Sequence, residues 1–442
     1  MPPRYNYAIR VSLIAALGGF LFGFEVAVIS GAEKTIQQLW GLNSFWQGFT
    51  VASSLIGTVA GSLVAGWPAQ KYGRKKVLVG IALMYLLSAV GCALSTAWLL
   101  FVLFRFIGGL AVGISSVVGP MYISEISPAP IRGRLAGSFQ VNIVSGILVA
   151  YLANFLLSGI GEDAWRWMLG VMAIPAAVFA LLVRTIPESP RWLVLNGQDA
   201  EAEKIFARTG ETGITALIKE EHALASQGIK EKLFSGKYNK PIFYAMLLAM
   251  FNQLSGINAI IYYAPRIFEM AGFDEANAFQ QSVYIGAANL LFTLLAMSVI
   301  DRFGRKKLLL IGAAGMFVFL ALTAIAFSKP GQGGGPVILY LIGFIACFAF
   351  SQGAVIWVFI SEIFPNAVRS QGSSLGSFTH WIMAAIISWT FPVIVEGSPQ
   401  GGFYSFIFYS VMMLLSFLFI WRVMPETKGR SLEQIQEELG IR

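Results

Sequence analysis

Long apolar runs, separated by short polar or charged segments, recur along the whole chain. A helix needs about 20 apolar residues to cross the hydrocarbon layer of a membrane. Twelve runs of that kind can be counted. They begin near Ala8, Phe45, Val77, Leu99, Leu135 and Trp165, and then near Pro241, Phe279, Lys307, Pro336, Gln371 and Gly402. The pattern predicts an all-α membrane protein with twelve transmembrane helices.

A longer polar segment, residues 187–240, separates the sixth run from the seventh, and residues 199–208 within it are amphipathic. We interpret this segment as a cytoplasmic linker that carries short helices. The predicted organisation is therefore an N-terminal six-helix half at 1–186, the linker, a C-terminal six-helix half at 241–424 and a cytoplasmic tail at 425–442.

Composition and charge support this class. The 442 residues are 56% hydrophobic and 12% charged, and soluble domains carry about twice that share of charge. Of the 31 Lys and Arg residues, 26 lie on the termini and loops of one side, so the positive-inside rule predicts that both termini are cytoplasmic. Topology and anionic lipid headgroups then explain the net charge of +8. No nucleic acid partner is expected.

Two groups of motifs occur twice, once in each half of the chain. The first pair comprises Gly66, Gly73, Arg74, Lys75 and Lys76 against Asp301, Arg302, Gly304, Arg305, Lys306 and Lys307. The second pair comprises Ser124, Glu125, Ile126, Pro128 and Arg132 against Ser361, Glu362, Ile363, Pro365 and Arg369. Matched motifs at nearly one offset predict a duplicated bundle with a site between its halves, which is typical of transporters.

Two charges, Glu25 and Arg105, lie inside predicted membrane helices, where charges are costly and usually have a partner or a function. At 1.5 Å per residue, Glu25 lies ~25 Å above the cytoplasmic start of the first span, and Arg105 lies ~9 Å below the outer end of the fourth. Both depths fall in the outer half of a ~30 Å layer, so an ion pair is geometrically reasonable. A carboxylate whose pKa is raised by burial and lowered by Arg can load and release a proton. The alternative is a permanent structural ion pair.

Polar amides form a second group of candidate residues. The seventh span carries Asn252, Gln253 and Asn258 around Ser255 and Gly256, and the eighth carries Asn289. Amides donate and accept hydrogen bonds without a charge to desolvate, which suits an uncharged hydroxylated solute. Trp357 and Trp381 offer apolar faces on which sugar rings stack. The alternative is interhelical hydrogen bonding for the amides and packing for the tryptophans.

The chain resembles the sugar porters of the major facilitator superfamily over nearly its whole length. The matching motifs are Gly18, Gly19, Phe22, Gly23 and Val28 to Gly31 in the first span, Pro187 to Leu193 after the sixth, Gln253 to Asn258 in the seventh, and Pro425 to Arg430 after the twelfth. The resemblance implies the major facilitator fold, in which two pseudo-symmetric six-helix halves expose a central sugar site to each side in turn.

The resemblance also implies the sugar-binding residues. Carried over position by position, the hydrogen-bonding residues are Gln140, Gln253, Asn258, Asn289 and Trp357, and Phe22 and Gly353 line the same cavity. Asn252 is a shorter amide than the Gln usual there. His380 stands where relatives have Asn or Gln, and it is expected either to line the cavity or to bridge helices.

Glu25 and Arg105 match the acid and arginine that resemble a proton-coupling pair in bacterial and plant sugar symporters, whereas animal facilitative glucose transporters have Asn at the acid position. An acid at position 25 therefore favours proton symport over uniport. The family's gating positions map onto Arg74, Glu125, Arg132, Glu188, Arg191, Asp301, Arg305, Glu362 and Arg369 at the inner ends, and onto Tyr262 and Tyr263 at the outer side.

An enzyme is not expected, because no nucleophile with a base, metal cluster or phosphate loop is recognisable and the only histidines are His222 and His380. No cofactor or metal is expected either. The leading hypothesis is a proton-coupled monosaccharide symporter, functional as a monomer in a bacterial inner membrane. A facilitative uniporter and a non-transporting sugar sensor follow as alternatives, and the choice between hexose and pentose stays open.

Overall fold

The computed structural model describes residues 5–211, 213–227, 232–328, 334–365, 367–428, 432–439 and 441. Every regular element in these ranges is a helix. Twelve helical segments are long and apolar enough to cross a membrane, so the number of spans predicted from the apolar runs is confirmed.

The helices before the linker supply six spans, the sixth of which is built from α8 and α9. A 3-10 turn at Ile29–Gly31 extends α1. In chain order they are α1 (Asn6–Val28), α2 (Glu33–Leu39), α3 (Ser44–Val64), α4 (Gly66–Tyr72), α5 (Arg74–Leu94), α6 (Trp98–Ile126), α7 (Arg132–Leu157), α8 (Ala164–Gly170) and α9 (Ala173–Val183).

The linker carries short helices, as predicted, and six further spans follow it. The linker helices are α10 (Pro190–Leu195), α11 (Asp199–Thr209) and α12 (Thr215–Gln227). The remaining helices are α13 (Asn239–Leu254), α14 (Ile257–Tyr262), α15 (Ala264–Met270), α16 (Glu275–Phe303), α17 (Arg305–Phe327), α18 (Gly334–Phe350), α19 (Gln352–Ile363), α20 (Arg369–Glu396), α21 (Gly401–Arg422) and α22 (Leu432–Leu439).

The observed spans start up to four residues before the apolar runs predict. The reason is that several begin with a charged residue, as at Arg74, Arg132 and Glu275. Such a residue belongs to the helix but not to its apolar run.

The seventh span is broken at Gly256, which joins α13 to α14 with φ +81°. A Cβ at this position would approach the ring of Tyr409 to 2.4 Å. Both the left-handed backbone and the close ring therefore favour glycine. The break turns Asn258, which follows it, back towards Gln253.

The chain divides into two compact units. The first contains Met1–Val26, Gly57–Ala150 and Arg166–Ile229. The second contains Ala27–Ile56, Tyr151–Trp165 and Lys230–Arg442. The second unit therefore includes the end of α1, all of α2, the start of α3 and the end of α7. The bounds of these units differ from those of the two predicted sequence halves. The division into halves rests on the repeated motifs and stays a prediction.

Candidate functional site

Glu25 on α1 and Arg105 on α6 form a buried ion pair in the first unit. Arg105 Nη1 donates to Glu25 Oε1 at 2.5 Å and to the Glu25 carbonyl oxygen at 3.3 Å. The side chains of Glu25 and Arg105 are only 3% and 1% exposed. Separating two such charges without another partner is costly. The pair therefore fixes α1 against α6 in this conformation.

Small and hydroxylated residues make room for this pair. A Cβ on Gly108 would lie 2.5 Å from Glu25 Oε1 and 2.4 Å from Ser88 Oγ, so only glycine lets α6 approach the carboxylate this closely. The hydroxyls of Tyr85 and Ser88, and Arg105 Nε and Nη2, are buried and find no hydrogen-bond partner among the described residues. Buried polar groups with unused hydrogen-bonding capacity therefore lie around the ion pair.

Three predicted amides and the predicted histidine meet in the second unit. Asn258 Nδ2 donates to Gln253 Oε1 at 2.8 Å. Gln253 Nε2 in turn donates to Asn252 Oδ1 at 3.0 Å and lies 3.0 Å from His380 Nε2. Because an amide nitrogen only donates, the His380 ring nitrogen that Gln253 contacts is the acceptor of this hydrogen bond. All four side chains are at least nine-tenths buried.

Two tryptophans flank His380. The ring centroids of Trp357 and Trp381 lie 4.7 Å and 4.8 Å from that of His380. Trp357 is 38% exposed, whereas Trp381 is almost fully buried. On the polar side, Asn252 Nδ2 is buried without a hydrogen-bond partner in the described chain. The cluster thus combines an unused amide donor with an accessible aromatic face, which is the chemistry that holds a sugar.

The other predicted binding residues lie in different parts of the chain. Asn289 on α16 is 7% exposed, and Gly353 lies on α19, both in the second unit. Phe22 on α1 and Gln140 on α7 belong to the first unit. The amide cluster alone is joined by hydrogen bonds, and the roles of the remaining residues stay predictions.

Charged residues form a compact cluster where α5 begins. Arg74 donates from Nε and Nη2 to the two carboxylate oxygens of Glu125, at 2.9 Å and 2.8 Å. Glu188 accepts the backbone N–H groups of Arg74, Lys75 and Ser189 at 2.8–3.0 Å. A carboxylate at a helix N-terminus satisfies backbone donors that have no partner within the helix.

The same arrangement recurs where α17 begins, in the second unit. Arg305 Nη2 donates to Glu362 at 3.1 Å, and Glu426 accepts the backbone N–H groups of Arg305 and Lys306 at 3.0 Å and 3.1 Å. Thr427 Oγ1 donates to Glu362 at 2.6 Å. Glu426 was not among the predicted gating residues. The signal was present, because Pro425–Glu426–Thr427 repeats Pro187–Glu188–Ser189.

The remaining predicted inner gating residues have weaker contacts. Arg132 Nε donates to the carbonyl oxygen of Ser127 at 3.1 Å, and Arg369 Nε donates to that of Phe364 at 3.3 Å. Arg191 lies 3.6 Å from Glu221. Asp301 belongs to α16, but its side chain lies outside the described residues.

The two predicted gating tyrosines are fully buried where α14 meets α15. Tyr263 OH donates to the carbonyl oxygen of Ser388 on α20 at 3.0 Å, and its ring lies 5.2 Å from that of Phe391. Tyr262 is 1% exposed. Tyr151 at the end of α7 donates to the Ile261 carbonyl oxygen at 2.7 Å. These contacts join the ends of spans five, seven and eleven within the second unit.

Comparison with known proteins identifies the family of this chain. A sequence profile of the family described as "Sugar (and other) transporter" matches residues 11–439. The chain belongs to this family. Known relatives of this transporter include the arabinose-proton symporter of Bacillus subtilis, 36% identical over 98% of this chain and 95% of the relative. They also include the glucose facilitated diffusion protein of Zymomonas mobilis, 34% identical over 97% and 96%.

A solved structure extends the likeness to three dimensions. The D-xylose-proton symporter of Escherichia coli is 35% identical over 99% of this chain and 97% of its own. The inward open conformation of the xylose transporter XylE from E. coli matches the transporter with a TM-score of 0.86, 34% identity, and coverage of 98% and 100%. The predicted sugar porter family and major facilitator fold are confirmed. The transporter is a multi-pass membrane protein, and its family consists of transporters rather than enzymes.

A group of charged and amide residues in the second unit was missed by sequence analysis. This far-end cluster comprises Glu33, Gln37, Gln47, Arg266 and Glu396, located where α1 gives way to α2, where α3 begins, on α15, and at the end of α20. The available signal was Glu33 two residues after the end of the first-span motif at Gly31, with Arg266 three residues after Tyr263.

Proposed function

We propose that the transporter couples the movement of one monosaccharide to that of a proton by alternating access. The observation that carries this proposal is the ion pair of Glu25 and Arg105, with both side chains almost completely buried inside predicted membrane spans. A buried carboxylate held by arginine changes its proton affinity when that arginine moves away. The symporters among the relatives support the same reaction.

In this mechanism Glu25 is the proton carrier and Arg105 sets when it is charged. With Arg105 Nη1 at 2.5 Å, the guanidinium offsets part of the cost of a buried charge on the Glu25 carboxylate. When the pair opens, the carboxyl binds a proton and loses the cost of a buried charge. A proton that crosses 100 mV brings ~2.3 kcal/mol, which permits roughly 50-fold accumulation of sugar if coupling is tight.

The sugar is bound by the amide cluster around Gln253. Asn252 Nδ2 is free to donate to a sugar hydroxyl, and the amides of Gln253 and Asn258 exchange their mutual hydrogen bond for bonds to substrate. Trp357 provides the exposed ring face. Asn289 and Gly353, in the same unit, are assigned to sugar binding as well, and the roles of Phe22 and Gln140 stay as the family resemblance implies them. A hydroxylated and uncharged substrate of monosaccharide size fits this donor and acceptor set.

The charged clusters at the starts of α5 and α17 act as the inner gate. We assign gating to Arg74, Glu125 and Glu188 in one copy and to Arg305, Glu362 and Glu426 in the other, with Arg132, Arg191, Asp301 and Arg369 nearby in sequence. Tyr262 and Tyr263 close the opposite side. The two sequence halves, 1–186 and 241–424, are the elements that move relative to each other.

The charge distribution supports an orientation with both termini and the linker in the cytoplasm. The far-end cluster then faces the outside. We place the protein in a bacterial inner membrane, as a functional monomer surrounded by lipid.

Facilitated diffusion is the second candidate, because the Zymomonas relative is named for that activity. In that case Glu25 and Arg105 are a structural pair. The two functions differ in one observable, since only a symporter accumulates sugar against its gradient when a proton gradient is imposed.

The deciding experiment is uptake of labelled xylose, arabinose and glucose into proteoliposomes, with and without an inward proton gradient. Wild type is compared with Glu25→Gln. We expect gradient-driven accumulation in wild type, and in Glu25→Gln we expect exchange without accumulation. Equilibration of sugar by wild type, independent of the gradient, would establish the facilitator instead.

A further inference from the structure

A second buried acid and arginine pair lies outside the membrane spans, at the far end of the second unit. Arg266 Nε donates to Glu33 Oε1 at 2.8 Å, and the side chains of Glu33 and Arg266 are 1% and 10% exposed. No predicted role covers either residue. Since the cost of burying two charges is high, a pair of this kind outside the proposed coupling site calls for a function.

The pair is the centre of a continuous network. Arg266 Nη1 donates to Glu396 Oε1 at 2.7 Å and Arg266 Nη2 to Gln37 Oε1 at 2.5 Å. Gln47 Nε2 donates to Glu33 Oε2 at 2.7 Å and to the Glu33 carbonyl oxygen at 2.6 Å. The guanidinium thus joins α2 to α15 and α20, and Gln47 adds the start of α3. One arginine ties together the ends of spans one, seven and eleven.

Glu33 faces charged and titratable groups on every side. Arg266, Glu269 and Tyr263 lie on or next to α15, Glu396 ends α20, and Lys34 is its neighbour on α2. Burial raises the pKa of Glu33 above its ordinary value of 4.5, although Arg266 and Gln47 act to lower it. The pKa of Arg266 is also raised. Burial lowers this pKa, but the interactions with Glu33, Tyr263 and Glu396 raise it by more.

We propose that the far-end cluster is a charged latch that closes the outer end of the transporter. Arg266 is its central cation, and Glu33 is the carboxylate that responds to pH. The inference rests on the proposed alternating access, because the latch must open once in each transport cycle. The contacts of Arg266 with α2 and α20 must then break together. Lys34 and Glu269 form a separate, more exposed pair, with side chains 49% and 21% exposed, and lie outside the latch.

The sign of the pH response follows from linkage. In the open state Glu33 is hydrated and has an ordinary pKa, whereas in the closed state its pKa is raised. The closed state therefore binds the proton more tightly and is favoured by acid. This preference is fully present below the ordinary pKa and is lost as the pH rises through the raised pKa. A cavity of about 440 Å³ has Arg266 and Glu396 in its wall and gives the cluster access to solvent.

The test measures the distance between spin labels at Gln38 and Ala276, two exposed positions near the latch on α2 and α16. The protein is held in lipid nanodiscs at pH 5.5 and pH 7.5, in a background with both native cysteines replaced. Arg266→Met leaves Glu33 and Glu396 facing each other without their cation. We expect it to raise the ratio of open to closed protein at pH 7.5 by about tenfold or more, and to recover closure at pH 5.5.

A double variant distinguishes the effect of an unpaired charge from the effect of lost packing. Glu33→Gln combined with Arg266→Met removes the unpaired carboxylate, so closure is expected to return at pH 7.5. Glu33→Gln alone should stay closed with a weaker pH response, and Lys34→Gln should behave as wild type. A wild-type distance distribution in Arg266→Met, or failure of the double variant to restore closure, would overturn the latch. Normal distance changes without sugar uptake would instead refute the proposed transport function.

Discussion

Arg105 Nη1 lies 2.5 Å from Glu25 Oε1, and the two side chains are 1% and 3% exposed. This contact links the first and fourth spans through a charge pair with almost no access to solvent. The hydroxyls of Tyr85 and Ser88, and two nitrogens of Arg105 itself, have no hydrogen-bond partner among the described residues. The proposed separation of the pair during transport would expose these groups to new hydrogen-bond partners.

Removing one charge of this pair should cost more than removing both. Arg105→Met leaves the Glu25 carboxylate buried without its partner and is expected to destabilise the protein by about 3–5 kcal/mol. Glu25→Gln combined with Arg105→Met should recover most of that loss. Thermal unfolding in detergent measures the effect. Arg166→Met, which removes hydrogen bonds to the backbone carbonyls of Ala93 and Ser95, is the matched control. Equal losses in the single and double variants would contradict a tight charge pair.

Gly108 should be sensitive to a single methyl group. A Cβ there would lie 2.5 Å from Glu25 Oε1 and 2.4 Å from Ser88 Oγ, so Gly108→Ala should displace the carboxylate and reduce proton-driven accumulation at least tenfold. Gly80→Ala on α5 is the control, because no atom lies within 4 Å of its Cβ. In a helix this control exchange is expected to stabilise by about 1 kcal/mol. Gradient-driven uptake compares the two variants, and similar behaviour would exclude a steric role for Gly108.

His380 should contribute to sugar affinity through its ring nitrogen. His380→Phe keeps the aromatic contacts with Trp357 and Trp381 but removes the partner of Gln253 Nε2. A lost partner for a buried polar group costs about 1–3 kcal/mol, so we expect roughly a tenfold rise in KM for exchange. His380→Gln retains hydrogen bonding and should stay within about threefold. A larger loss in His380→Gln than in His380→Phe would argue for helix packing instead.

Glu188 and Glu426 should contribute equally to the stability of the protein, because they cap α5 and α17 in the same way. Each carboxylate accepts backbone N–H groups at the start of its helix. Glu188→Gln and Glu426→Gln should each cost about 1–3 kcal/mol. Glu269→Gln, which alters the exposed pair with Lys34, should change the melting temperature little. A large loss in one capping variant alone would show that the two copies differ.

Much of the candidate site could be inferred from spacing along the chain. Helix rise and membrane thickness place Glu25 and Arg105 at similar depth, and the structure has them in contact. The break at Gly256 lies between Gln253 and Asn258. Such inferences succeed because a membrane span converts residue number into depth with little ambiguity.

The contacts of the far-end cluster could not be inferred from depth along the spans. Glu33 and Arg266 are 233 residues apart, and each follows a span where charges are ordinary. Depth counting puts them at the same end of the membrane but says nothing about which helices are neighbours there. Their contact depends on how spans one, seven and eleven pack.

The sequence by itself therefore determined the class of protein and the number of spans, and it predicted the chemical character of both proposed sites, since these follow from hydropathy, helix rise and motif order. Tertiary structure decided which charges pair, which amides share hydrogen bonds with His380, and that Glu426 and Arg266 have defined partners. Side-chain pairing requires distances of a few ångströms between helices far apart in sequence, and only the packing of those helices sets such distances.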